Sequence, residues 1–360
     1  MDVSPFPYQG PLEPALVRGR DELIHDLIGR ITERRVTALL GPRRFGKTSL
    51  LRRVAADLTE VTTIWVDLYE VTSMADVVVR FDNALGAVQG RYAEMARRIS
   101  AELSIQLGLV GVKLAGPPSG RPEPGLALQQ LLQVLVQAAQ AGPTLLVIDE
   151  FSSISRVDGA AGALRTALQH HYGDLGIVFA GSHPSMMRTL FTDRPQPFFA
   201  QADLLNIGPL DAVDIEDMIA DGFRATDRRA GRLGSLITGF SGGHPQRTMQ
   251  LADACWRRTP EGGDGDQHWA DGLADVRQAS TEWIEWLYSR FSGGEQDVLR
   301  VVARSGSVYG REAAILELSK GSATHARQRL IDEGDMWETP AGLRLVDPLM
   351  ADWLRNRFPI

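Results

Sequence analysis

Gly41-Pro42-Arg43-Arg44-Phe45-Gly46-Lys47-Thr48 satisfies the pattern G-x-x-x-x-G-K-[ST] at every specified position. Its flanks give it the required setting. Val36–Leu40 is a short apolar run that reads as a buried strand ending at Gly41, and Ser49–Leu58 reads as a helix. The physics of such a strand–loop–helix is specific. Gly41 and Gly46 let the backbone curl so that its N–H groups face phosphate oxygens. The helix opening at Lys47 adds the positive end of its dipole. Lys47 neutralises β- and γ-phosphates, and the Thr48 hydroxyl is a ligand for Mg²⁺. Pro42, Arg43, Arg44, Phe45 and Ser49 complete the nucleotide-binding stretch. The bland alternative, a glycine turn before an ordinary surface helix, is disfavoured because motif and context agree.

Working outward, a helix is expected at Leu23–Ile31 and a second strand at Thr62–Leu68. Residues Ala75–Ser104 read as helix, and Ile105–Pro124 as a hairpin-like insertion with a Pro/Gly loop. A helix at Gly125–Ala141 precedes the most apolar strand, Thr144–Ile148. A helix at Gly159–His171 and a strand at Gly176–Ala180 follow. Strands alternating with helices predict a parallel sheet covered on both faces. The apolar strand delivers Asp149 and Glu150 to its C-terminal end, where open α/β sheets bind ligands. Asp149 is the expected water-mediated holder of Mg²⁺ and Glu150 the general base that polarises the attacking water. The competing reading is a surface acid pair starting a helix.

Bulk properties set bounds. A chain of 360 residues predicts two or three domains. Its net charge of −7 gives no overall basic signature for nucleic acid or anionic membrane. The single cysteine, Cys255, excludes an internal disulfide and a cysteine-rich metal framework, and a cytoplasmic location is expected. No apolar stretch is long enough for a membrane helix. Among nucleotide enzymes, a GTPase would show [NT]-K-x-D, which is not found, and small-molecule kinases of this fold lack so long a helical tail. Ser292-Gly293-Gly294-Glu295-Gln296 resembles the ABC-transporter signature but lies far after the acidic strand. It reads better as a capping box, with Ser292 as N-cap and Glu295 at N3.

Several segments together resemble the archaeal-type ATPases, prokaryotic STAND-class P-loop NTPases related to the origin-recognition branch of AAA+. The resemblance rests on Pro5-Phe6, Gly10-Pro11 and Arg18–Leu23, on Gly41–Leu51, on Asp67–Tyr69, on Asp149–Phe151, on Gly181-Ser182, on Gly242–Pro245 and on Asp347–Arg355. It implies an α/β P-loop NTPase core (AAA+/STAND-like) at 1–207, a helical lid at 208–258, a linker at 259–273 and a winged helix-turn-helix domain at 274–360. It further implies that residues around Val17 and Arg20 lie against adenine and that Ser182 senses the γ-phosphate. No arginine adjoins Ser182, a departure from the STAND pattern. Pro245 is implied to touch the base or ribose. Arg247 is implied to reach the phosphates, and Arg165 to act as a finger on a neighbouring subunit. A solvated helix arginine is the competing reading for the last two.

The lid is expected as helices near Ala212–Phe223, Arg228–Thr238 and His244–Arg258, with Thr259–Gln267 as a polar, glycine-rich linker. The C-terminal pattern is three helices (Ser292–Arg304, Arg311–Ser319, Ser322–Glu333) and two short strands (Met336–Thr339, Leu343–Val346). Lys320, His325, Arg327 and Arg329 are the candidates for DNA contact. From Ser292 onward nine Lys/Arg face ten Asp/Glu. That near-neutral balance is poor for phosphate neutralisation, so packing on the core or on a protein partner stands as an equal alternative. The expected function is an Mg²⁺-dependent ATPase switch whose nucleotide state controls the C-terminal domain, with homo-oligomerisation left open. The competing classes are a nucleotide-gated interaction module with negligible turnover and a DNA-remodelling motor.

Overall fold

The computed structural model describes residues 3–88, 123–339 and 341–359. The chain divides into two compact units. Asp21–Gly41 and Lys47–Ile207 form a sheet unit; Met1–Arg20, Pro42–Gly46 and Gly208–Ile360 form a helical unit. The first twenty residues and the apex of the glycine loop group with the helical unit, and so does the whole segment after 258.

In the sheet unit, α1 (Asp21–Thr32), β1 (Thr37–Leu40), α2 (Lys47–Asp57), β2 (Thr62–Asp67), α3 (Met74–Gly86), α4 (Pro124–Ala141) and β3 (Thr144–Asp149) follow in order. A 3₁₀ turn at Phe151–Arg156, α5 (Ala160–Leu168), β4 (Gly176–Gly181), α6 (Pro184–Thr192) and β5 (Asp203–Asn206) complete it among the described residues. The five strands are parallel, in the order β2-β3-β4-β1-β5. Every residue of β1, β3 and β4 is buried, whereas edge strands β2 and β5 are partly exposed. Near-continuous apolar runs in the centre and mixed ones at the rim are what a sheet covered on both faces requires. The rings of Phe151, Phe179, Phe191 and Phe198 form one cluster in the core, with centroids 4.4–5.8 Å apart.

Two elements of this unit were not expected. α6 begins with Pro184 at its first turn and buries Met187, Leu190 and Phe191 on one stripe, a pattern too short to stand out. β5 has four residues, none fully buried, so it lacks the apolar run that marked the other strands. The helix expected over Ala75–Ser104 covers Met74–Gly86 and is capped by Ala87; residues 89–104 and nearly all of the expected hairpin at Ile105–Pro124 lie outside the described residues.

The helical unit holds α7 (Ala212–Arg224), α8 (Leu233–Ser241), α9 (Pro245–Arg258), α10 (Trp269–Ser289), α11 (Gly293–Ser305), α12 (Arg311–Ile315), α13 (Lys320–Asp332), the antiparallel pair β6 (Met336–Thr339) and β7 (Gly342–Leu345), and α14 (Pro348–Arg357). One core runs from Phe6 through α7–α10 to α14. The second expected lid helix starts later than anticipated, because Arg229 bridges Asp264 instead of entering a helix. That bridge also pins the expected linker: Arg229 N donates to Gly263 O, Gly265 N to Arg229 O, and Arg228 Nε to Thr259 O. Beyond it α10 runs for 21 residues, from Trp269 to Ser289. The Ser292/Glu295 capping box is present, Glu295 Oε2 accepting from Ser292 N at 2.8 Å. Three helices and a two-stranded ladder then follow in the anticipated order.

Candidate functional site

The loop after β1 takes its form from two glycines. A Cβ on Gly41 would stand 2.2 Å from Ile207 Cγ2, and Gly46 has φ +85°, a left-handed conformation. Arg44 adopts φ +67° without being glycine, which costs roughly 1–2 kcal/mol. α2 begins at Lys47. The Lys47 side chain is 5% exposed, and its ammonium Nζ donates to Gly41 O at 2.8 Å, across the loop's own mouth.

Strand order decides what stands beside this loop. β4 lies between β1 and β3. Leu40 is in register with Gly181, so Ser182 leaves the sheet next to Gly41. Thr48 Oγ1 donates to Asp149 Oδ2 at 2.8 Å, and the other carboxylate oxygen accepts from Glu150 N at 3.0 Å. Burial pushes the Asp149 carboxyl up; the Thr48 hydrogen bond opposes this, and the neighbouring Glu150 charge adds to it. Glu150 follows in a left-handed conformation, φ 51° and ψ 38°, and its Oε1 accepts a short hydrogen bond from Ser182 Oγ. The fully buried Phe151 anchors the turn, its ring 4.4 Å from Phe179 of β4. One aromatic cluster therefore fixes the two strand ends that carry Asp149, Glu150 and Ser182. Sequence reasoning did not single out the neighbouring pair Ser152 and His183, both buried, with Ser152 Oγ 3.4 Å from His183 Nδ1.

Other named residues have firm partners in the helical unit. Phe45 is 1% exposed, its ring edge-on to His244 at 5.0 Å and to Trp337 at 5.4 Å between centroids. The Arg44 guanidinium lies 5.6 Å from the Trp283 ring centroid. Val17 is buried, and Arg20 donates to Gly208 O at 2.7 Å and Pro209 O at 3.1 Å. Pro245 is the first residue of α9; His244 caps that helix, its Nδ1 accepting from Arg247 N at 3.3 Å. Burial, ahead of the charges around it, pushes the His244 imidazole down to about 4, so the ring is neutral and its Nδ1 free to accept. Arg247 is buried and paired with Asp347, Nε to Oδ1 at 3.1 Å and Nη2 to Oδ2 at 2.5 Å, with Nη1 donating to Gln250. Sequence reasoning assigned Asp347 no partner, since a hundred residues separate it from Arg247 and only charge sign hints at the pair. Arg165, in the sheet unit, is part-buried, and its Nε has no hydrogen-bond partner among the described residues.

Comparisons with known proteins bear on the fold. Residues 30–190 match the AAA domain family. A Walker-type ATPase of Pyrococcus abyssi covers 98% of this chain and 99% of its own, with a TM-score of 0.72 and 17% identity. The ORC1 protein of Aeropyrum pernix, solved in complex with DNA, covers 95% of this chain and 93% of its own, with a TM-score of 0.52 and 14% identity. No curated protein sequence matches. Among the described residues no helix is long and apolar enough to cross a membrane. At these identities the structural likeness is one of fold: the chain has a P-loop NTPase fold, and its residues 30–190 are similar to AAA domains.

Proposed function

We propose that the chain is an Mg²⁺-dependent ATP-binding and ATP-hydrolysing switch of the archaeal-type, STAND-like kind, whose nucleotide state is passed to a C-terminal winged helix domain. The observation that carries the reading is the Thr48–Asp149 hydrogen bond at 2.8 Å, with Lys47 and Glu150 as chain neighbours of its two ends. A hydroxyl and a carboxylate so close are hard oxygen donors that suit Mg²⁺ in its usual setting of one or two protein ligands plus phosphates and water. Thr48 would hold the ion directly and Asp149 through water. The ion supplies charge neutralisation on the β- and γ-phosphates.

The Lys47 ammonium donates to the Gly41 carbonyl and lowers the Asp149 carboxyl by its charge; phosphate oxygens would give it charged acceptors as well. Glu150 is the base: its carboxylate polarises the attacking water, and the Ser182 hydroxyl orients it. Pro42, Arg43, Arg44, Phe45 and Ser49 frame the loop, and Val17, Arg20 and Pro245 are assigned to the base and ribose. Arg247 acts on phosphate only if Asp347 releases it. The part-buried Arg165 gives a finger role no support.

A second reading, a nucleotide-gated interaction module with negligible turnover, is favoured by the hydrogen bond that already occupies Glu150 Oε1. DNA contact is less well supported. Arg327 is ion-paired with Glu338, and Arg329 lies 3.3 Å from Glu295, which leaves fewer charges for phosphates. The deciding experiment compares wild type, Lys47→Ala and Glu150→Gln by calorimetry and phosphate release. Lys47→Ala loses tight Mg·ATP binding. Glu150→Gln keeps binding but loses turnover by about 10²-fold or more. Unchanged turnover in Glu150→Gln removes Glu150 as base. Wild type that binds without turning over selects the second reading.

A further inference from the structure

We infer that Trp337, far along the chain from the glycine loop, is a positioning residue for that loop and acts on nucleotide affinity through Phe45. The inference rests on the nucleotide-binding function proposed above and extends it to a residue outside the motif.

Phe45 occupies a position the motif leaves unspecified. Nothing in phosphate chemistry calls for an aromatic ring there, and the ring does not face solvent: it is 1% exposed. It is held edge-on between His244, at 5.0 Å and 65°, and Trp337, at 5.4 Å and 76°. This is the geometry in which the positive edge of one ring meets the negative face of another. The neighbouring Arg44 has its guanidinium 5.6 Å from the Trp283 ring centroid, against which Arg247 also packs at 5.1 Å. Pro42–Gly46 accordingly groups with Gly208–Ile360.

Both ring partners are held by regular structure. Trp337 sits on β6 opposite Arg344 of β7, next to the buried Met336. His244 is fixed by its cap on α9. The loop by itself is not: Arg44 stands at φ +67°, a conformation that a side chain disfavours, so an unanchored loop would sample others. A phosphate cradle made of backbone N–H groups works only when those groups converge, and an anchored loop has less freedom to lose on binding. Trp337 thus strengthens nucleotide binding without touching nucleotide.

The test is a double-mutant cycle on the full chain with Trp337→Ala, Phe45→Leu and the pair, reading Mg·ADP and Mg·ATP affinity by calorimetry and kcat and KM by phosphate release. Trp337→Ala weakens both nucleotides by about tenfold, the scale of one edge-to-face ring contact. KM rises while kcat changes little, since the interaction serves ground state and transition state alike. Trp337→Phe, which keeps a ring, recovers most of the affinity. The double variant binds no more weakly than the weaker single one, because the two rings act as a unit. Hydrogen exchange at residues 42–46 of the nucleotide-free protein speeds up in Trp337→Ala.

Three results overturn the inference: wild-type affinity in a folded Trp337→Ala, losses in the double variant that multiply, or unchanged exchange at 42–46. Should Trp337→Ala fail to fold, Phe45→Leu and Trp337→Phe carry the same comparison from the other side of the ring pair. A wild type that binds no nucleotide brings down the proposed function and this inference with it. A wild type that binds, with a Trp337→Ala that binds equally well, brings down this inference alone.

Discussion

Replacing Asp347 by alanine removes two of the three acceptors of the Arg247 guanidinium, whose side chain is 4% exposed. What remains near that charge is one oxygen of Gln250, bonded at 2.6 Å, and the face of Trp283 at 5.1 Å. Breaking a buried pair from one side costs about 3–5 kcal/mol, because a charge is left in a poor solvent. Asp347 Oδ1 also accepts from Leu349 N at 2.9 Å as the N-cap of α14, worth about 1 kcal/mol more. The expected loss is therefore about 4–6 kcal/mol, comparable with the whole stability of a marginal domain. Exchanging both partners, Arg247→Met with Asp347→Leu, is nearly neutral apart from the missing cap, since apolar replacement of a buried pair removes its desolvation cost too.

The assay is urea unfolding followed by tryptophan fluorescence. Six of the seven tryptophans (Trp256, Trp269, Trp283, Trp286, Trp337 and Trp353) lie in the helical unit, so the signal reports the unit that holds the pair. Burial pushes the Asp347 carboxyl up, and Arg247, by charge and hydrogen bonds, more than offsets this and holds it below its ordinary 3.8. A folded value below the unfolded one means the stabilisation is complete above that pH and fades only as pH falls through the depressed value. The gap between wild type and Asp347→Ala thus stays constant from pH 8 to pH 5. A single-variant loss below about 1 kcal/mol, the range of an exposed pair, refutes the reasoning.

Three further outcomes are expected. His244, lowered by burial from 6.5 to about 4, takes up its proton in the unfolded chain first. Stability therefore falls as pH drops from about 6.5 towards about 4, by up to roughly 3 kcal/mol; urea midpoints of His244→Gln that keep the wild-type slope across this window contradict it. Asp335 runs the other way: burial and then Glu333 push it up to about 6 against the pull of Arg43. Its contribution weakens as pH rises from about 4 to about 6, so Asp335→Asn gains on the order of 2–3 kcal/mol at pH 8 and nothing near pH 3; an equal gain at both pH values rules this out. Finally, DNA binding, where it is measurable, is weak and salt-sensitive. Replacing Lys320, Arg327 and Arg329 flattens the salt slope by about 0.9 log units for each phosphate these side chains neutralise; anisotropy titrations with an unaltered slope show that they neutralise none.

Much of this fold was legible in the sequence, wherever local conformation depends on a contiguous stretch. Gly41–Thr48 could be read because the loop's conformation follows from its own two glycines and from the strand and helix that abut it. Asp149 and Glu150 could be read because an apolar run deep in a parallel sheet has one end where carboxylates meet solvent. The Ser292/Glu295 cap could be read because all its partners lie within one turn. The tertiary structure decided everything that depends on which surfaces meet. Only the order β2-β3-β4-β1-β5 brings Ser182 to Glu150, since a strand's apolar pattern says that it is buried and not which strand it pairs with. Only packing brought Arg247 its partner a hundred residues away and placed Phe45, in the middle of the phosphate motif, against Trp337. Periodicity and propensity report each segment's own conformation; the identity of a distant neighbour is set by shape and charge complementarity summed over the whole fold, and no local pattern carries it.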